Sequence, residues 1–151
     1  MPQLVIFVGL PGSGKSTYYF AHFAGTHIQV SKDLMPNARQ RDDRQSTAVE
    51  KALSEGQSVV IDNTNPSRDV RAPLIALGKR HGARIVACYF ECSVRVAIVR
   101  NAKREGKGRV PNVAIFTTQK KLQPPTLDEG FDEVRLISEK DSGLRTQDSE
   151  A

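Results

Sequence analysis

Gly9-Leu10-Pro11-Gly12-Ser13-Gly14-Lys15-Ser16 is an uninterrupted G-x-x-x-x-G-K-S pattern. Few folds are open to a chain that carries it, because the pattern works only as a loop joining a strand to a helix. The glycines let the backbone curl until successive N–H groups point inward, which makes a cradle for phosphate oxygens. Lys15 is placed to reach the β- and γ-phosphates of a nucleoside triphosphate, and the Ser16 hydroxyl to ligate Mg²⁺. The helix that follows adds the positive end of its dipole. The flanks agree: Leu4-Val5-Ile6-Phe7-Val8 is a continuous apolar run, as in a buried parallel strand, and Ser16 to Phe23 follows as a helix. The expected nucleotide-binding residues here are Gly9, Pro11, Gly12, Ser13, Gly14, Lys15, Ser16 and Thr17.

Apolar runs alternate with helical patterns down the chain, which implies an α/β fold with a parallel sheet flanked by helices. Strands are expected at 3–8, 27–30, 58–62, 84–90 and 134–137, and helices at 15–24, 46–55, 68–81, 93–104 and 112–122. Gly56 and Gly82 stand where helix stops belong. Pro73 lies inside the third helical pattern, so that helix starts near Asp69 or kinks. At 151 residues the chain suits one domain, taken as 1–138, with 139–151 as a polar, aperiodic and disordered tail. The charged run over 35–45 reads as a solvated loop or a mobile segment.

A net charge of +5 favours a polyanionic partner without requiring one. The two cysteines, Cys88 and Cys92, lack companions at ligand spacing, which argues against a zinc site, and Cys88 belongs to an apolar run and so to the core. No stretch approaches the length of a membrane span, and the expectation is a soluble protein of the cytoplasm.

Three constellations surround the loop in the sequence. Ser58-Val59-Val60-Ile61-Asp62 is a strand ending in a carboxylate, which would hold Mg²⁺ beside the loop or simply form a turn. Asp33 follows His27-Ile28-Gln29-Val30 at another strand end, as a base on an attacking hydroxyl or as a helix cap. Ser93 can cap a helix whose buried stripe would be Val94, Ile98 and Ala102, with Arg100 and Arg104 about 40° apart on the far side. Arg95, Lys103, Lys107 and Arg109 add charge, and Gly106 and Gly108 suggest a hinge. This is an arginine-bearing lid over phosphates or an ordinary solvated basic face.

Together these residues resemble the polynucleotide 5′-hydroxyl kinases of phage, bacterial and animal repair enzymes. The resemblance rests on Gly9–Thr17, on Val59-Val60-Ile61-Asp62-Asn63-Thr64-Asn65-Pro66, on Arg100-Asn101 with Arg104 and Val110-Pro111, and on Pro125-Thr126-Leu127-Asp128-Glu129-Gly130-Phe131. It implies a P-loop kinase domain with a helical lid that uses ATP and Mg²⁺ to phosphorylate the 5′-hydroxyl ends of DNA or RNA. It further implies Lys15, Arg100 and Arg104 on the donor phosphates, Asp33 as the general base, and Ser16 with Asp62 at the metal. Two departures stand out: Ser31-Lys32-Asp33 replaces an Asn-Arg-Asp common in the family, and Pro36 replaces an acceptor-binding arginine for which Arg39 is the nearest substitute. The phosphatase motif of larger members is absent, which leaves a separate phosphatase or ligase as a companion. A kinase of a small metabolite alcohol, or a nucleotide-binding or toxin-like module, remains open as an alternative on the same fold.

Overall fold

The computed structural model describes residues 1–35, 40–106 and 109–138, together with the backbone of one further strand at 144–148. Pro36 and Arg39 from the charged run, Lys107 and Gly108 from the hinge, and most of the tail lie outside the described residues.

Alternating residues of the buried runs point to opposite faces of a sheet, so each apolar strand needs cover on both sides. The chain meets this with strands β1 (Gln3–Val8), β2 (His27–Val30), β3 (Ser58–Ile61), β4 (Arg84–Glu91) and β5 (Glu133–Ser138). They form a parallel sheet in the order β2-β3-β1-β4-β5. Helices α1 (Lys15–His22), α2 (Arg41–Ser54), α3 (Arg68–Arg80), α4 (Val94–Ala102) and α5 (Asn112–Lys121) intervene. Leu4, Ile6 and Val8 pack with Val49, Leu53, Leu74 and Ile75 under α2 and α3. Val5 and Phe7 face the other way, against Tyr19 of α1 and Phe23, which caps it. A third, small cluster of Leu10, Ala97 and Ile115 joins the loop after β1 to α4 and α5. Cys88 is buried in the second cluster, where desolvation pushes its thiol up to about 12.

Of four local expectations, three need correction. The run over 35–45 is not loop throughout: α2 begins at Arg41, with Asp42 and Asp43 in its first turn, where carboxylates favour the dipole. Its buried stripe is Gln45, Val49, Ala52 and Leu53, and the polar first member hides the helical period. Helix α3 agrees with the expected 68–81: it starts at Arg68, beside Asp69, is capped by Ser67, and runs through Pro73 to Arg80. Helix α4 fully buries Ala97 and Asn101, with Val94 and Ile98 of the expected stripe only partly buried beside them and Ala102 exposed, and it stops at Ala102, which leaves Arg104 in the loop beyond it. Finally, Leu144–Asp148, expected as frayed tail, forms β6 antiparallel to β5. A bare edge of β5 would expose unpaired N–H and C=O groups, and backbone pairing there needs no apolar period.

Strand β1 sits at the centre of the sheet, and the chain leaves its carboxyl end directly into the glycine loop. Ligands of open α/β sheets bind at this edge, where connections depart in opposite directions.

Candidate active site

Seen from the sheet upward, the glycine loop lies between two clefts. Gly12 has φ of 83°, and a Cβ there would sit 2.6 Å from the Ala97 carbonyl, so loop and lid helix touch backbone to backbone. Only glycine meets both demands. Arg100 reinforces this contact by donating from Nη1 to the Ser13 carbonyl at 3.0 Å.

Lys15 is buried and donates from Nζ to the carbonyls of Leu10 at 2.6 Å and Gly9 at 3.2 Å, and to Ser13 Oγ at 3.3 Å. Desolvation lowers its pKa to about 8, against which the nearby Asp62 carboxylate pulls upward. Asp62, just past β3, is also buried. Its Oδ2 accepts from Ser16 Oγ at 2.8 Å and from Gln29 Nε2 at 2.8 Å. A hydroxyl and a carboxylate converging at the end of a phosphate loop are the donor set that a hard cation sharing phosphate oxygens requires, so these residues fit Mg²⁺. Among the described residues no group of three or more His, Cys, Asp or Glu side chains could hold a metal by itself.

The first cleft, about 530 Å³, brings together Lys15, Ser16, Gln29, Asp33, Asp62, Asn63 and Arg104. Asp33 sits there on a short 3₁₀ turn, Lys32–Leu34, whose cap is Ser31: the Asp33 N–H donates to Ser31 Oγ at 3.3 Å. Thus the capping role belongs to Ser31, and the Asp33 carboxylate is exposed to the cleft. Asn63 pins this turn by accepting from the Lys32 N–H at 2.9 Å while donating to Gln45 of α2. The second cleft, about 570 Å³, runs from Gly12–Gly14 past Tyr18, His22 and Phe90 to Arg100, Lys103 and Arg104. Thr17 and Arg104 line both. The two lid arginines therefore part company: Arg100 faces the second cleft, and Arg104 stands where the clefts meet. Asn101 holds the far arm of the lid, donating to the Val110 carbonyl at 2.6 Å and accepting from the Val110 N–H at 2.9 Å.

Sequence reading singled out the loop, Asp33, Asp62 and the arginines, and all of them border these two clefts except Gly9, which lies beneath. It missed Gln29, Gln45 and Asn63 as partners of the two carboxylate-bearing segments. It also missed Arg71, a fully buried guanidinium paired with Glu129. A lone arginine between apolar helix positions, three before Leu74, was the available signal for Arg71. The amides carried none.

Residues 4–125 match the family model described as an AAA domain. A bifunctional polynucleotide phosphatase/kinase of Schizosaccharomyces pombe is 29% identical over 89% of this chain and 33% of its own length. A putative protein of the same description from Acanthamoeba polyphaga mimivirus is 27% identical over 90% and 33%. The chain thus spans about a third of these curated relatives. Among solved structures, Chaetomium thermophilum Kti12 in complex with ADP-AlF3 shares the fold at a TM-score of 0.71, with 18% identity over 92% of this chain and 90% of that one. A sugar kinase from a Janibacter species does so at 0.68, with 17% identity over 93% and 87%. No helix among the described residues is long and apolar enough to cross a membrane. With the glycine loop and the parallel sheet in place over the matched span, the chain belongs to the AAA domain family and folds as a P-loop domain.

Proposed function

We propose that the protein is an ATP-dependent kinase of 5′-hydroxyl ends of DNA or RNA, with residues 1–138 as its kinase domain. The observation that carries this reading is the shared cleft: a strand-end carboxylate, Asp33, opens onto the same space as Lys15, Ser16, Asp62 and Arg104. The nucleoside of ATP takes the second cleft, beside Tyr18 and His22, whose ring centroids lie 4.2 Å apart. Its phosphates lie along the loop. Mg²⁺, held by Ser16 and Asp62 together with phosphate oxygens, would neutralise charge on the transferred group. Asp33 accepts the proton of the acceptor hydroxyl as its oxygen bonds to the γ-phosphorus. The bond from that phosphorus to the β–γ bridging oxygen breaks, and ADP leaves. Lys15 and Arg104 balance charge on the equatorial oxygens, and Arg100 holds the lid against the loop.

The polynucleotide acceptor is supported by the two phosphatase/kinase relatives and by the cationic lid. A small polyol is the second reading, favoured by the neutral amide and hydroxyl groups of Gln29, Asn63 and Thr64 around Asp33. Salt separates the two. Three phosphate contacts on a single strand would weaken acceptor binding about twentyfold between 50 and 200 mM salt, and affinity would rise with length over the first few nucleotides. An acceptor KM indifferent to both variables contradicts the polynucleotide reading and favours the polyol.

A further inference from the structure

The Pro125–Phe131 segment does not border either cleft, yet it holds the most deeply buried ion pair described. Arg71 of α3 has no exposed surface, and the Glu129 side chain is 5% exposed. The pairing is two-pronged, Nε to Oε1 at 2.8 Å and Nη2 to Oε2 at 2.9 Å. The third guanidinium nitrogen, Nη1, donates to the Asn65 carbonyl at 3.0 Å. Glu129 in turn accepts from the Thr126 N–H at 2.9 Å, closing a capping box around its own turn.

Burying such a pair contributes little net stability, because the desolvation of two charges offsets their attraction. What the pair does hold is Asn65. That residue is buried with φ of 40°, a left-handed conformation that a non-glycine residue keeps only when its neighbours enforce it. Asn65 Nδ2 donates to the Phe7 carbonyl in β1 at 2.8 Å, and the preceding carbonyl, of Thr64, accepts from the Gly9 N–H at 3.0 Å. The corner from Asp62 to Asn65 is therefore tied to β1, to the first residue of the phosphate loop, and to Arg71.

We infer that Arg71 and Glu129 are positioning residues that set the Asp62–Asn65 corner against the phosphate loop, and so set where Asp62 meets Ser16. This rests on the reading of Asp62 as a Mg²⁺ ligand. Groups that hydrogen-bond a metal ligand commonly change the metal's affinity by roughly ten- to a hundredfold, and Arg71, which reaches Asp62 only through the corner, is expected to change it less. The test is a titration of the full chain with a fluorescent ATP analogue at increasing Mg²⁺, with thermal unfolding in parallel. Replacing both partners, Arg71→Met with Glu129→Met, leaves the Asn65 carbonyl and the Thr126 N–H without these partners, so the melting temperature is expected to fall moderately while the Mg²⁺ midpoint rises several-fold. Arg71→Lys keeps a charge but loses the fork and the Asn65 contact, and its midpoint is expected to rise several-fold. It decides the matter if the double variant does not fold. Arg68→Ala removes the exposed Arg68–Asp128 pair next door and should leave the midpoint where it was. A folded pair variant with the parent's midpoint overturns the inference if Asp62→Asn shifts that midpoint. An Asp62→Asn protein with the parent's midpoint overturns the reading of Asp62 instead.

Discussion

Lys15 is a cation in a place that does not favour cations, and its burial has a measurable consequence. With its pKa lowered to about 8, the unliganded side chain begins to lose its proton just above neutral pH. Nucleotide phosphates need the ammonium, so binding draws that pKa back up and takes up a proton. ATP affinity should be flat below about pH 7 and fall about tenfold from pH 7 to 9, seen by calorimetric titration. The unliganded fold has the opposite slope. Between pH 8 and the ordinary lysine value the unfolded chain binds more protons, so stability rises with pH through that window. Substitutions separate donor from acceptor roles. Lys15→Ala should weaken ATP binding and abolish transfer, whereas Asp33→Asn should leave ATP affinity within a few-fold and cut turnover by roughly 10²-fold or more. Near-normal turnover of Asp33→Asn at saturating acceptor would remove it as the base. Arg104→Lys keeps charge but not the planar fork, and turnover should fall markedly. A fully active Arg104→Lys protein would return Arg104 to the solvated basic face.

At the scale of elements, the contact between the glycine loop and α4 governs whether the lid has a seat. Gly12→Ala would drive a methyl against the Ala97 carbonyl at a φ of 83°, at a cost of about 2 kcal/mol, with a loss of ATP affinity as Arg100 is pushed off Ser13. Gly25→Ala, with nothing within 4 Å, should melt near the parent and serves as the control. Strands β1 and β2 are legible in the sequence to the residue, because their neighbours are loops with glycine or charge, β1 is apolar from Leu4 to Val8, and β2 alternates the branched Ile28 and Val30 with polar His27 and Gln29. The start of α2 is not legible, since a buried Gln45 reads as surface until Asn63 is seen across from it. The same holds for α4, whose most buried positions are the small Ala97 and the polar Asn101, with Val94 and Ile98 only partly covered. Strand β6 owes its place to the open edge of β5, which no local pattern reports. The candidate residues that border the two clefts were legible because chemistry restricts their type. The amides and the buried arginine that hold them were not, because any of several polar residues can serve at such positions.

For the molecule as a whole, the sheet delivers three strand ends to one edge: β1 into the loop, β2 into the Asp33 turn and β3 into Asp62. The proposed phosphoryl transfer rests on that convergence, and the proposed acceptor on what flanks it. The basic lid lies on one side and neutral amides on the other, so charge on the acceptor is the deciding property. The most direct measurement incubates the protein with γ-labelled ATP, Mg²⁺ and two sets of acceptors, 5′-hydroxyl oligonucleotides and small alcohols including nucleosides and sugars. A 5′-hydroxyl polynucleotide kinase labels the oligonucleotides at their 5′ ends, labels free nucleosides little, and releases no phosphate from 3′-phosphate ends. Robust labelling of a small alcohol with none on any oligonucleotide would contradict it.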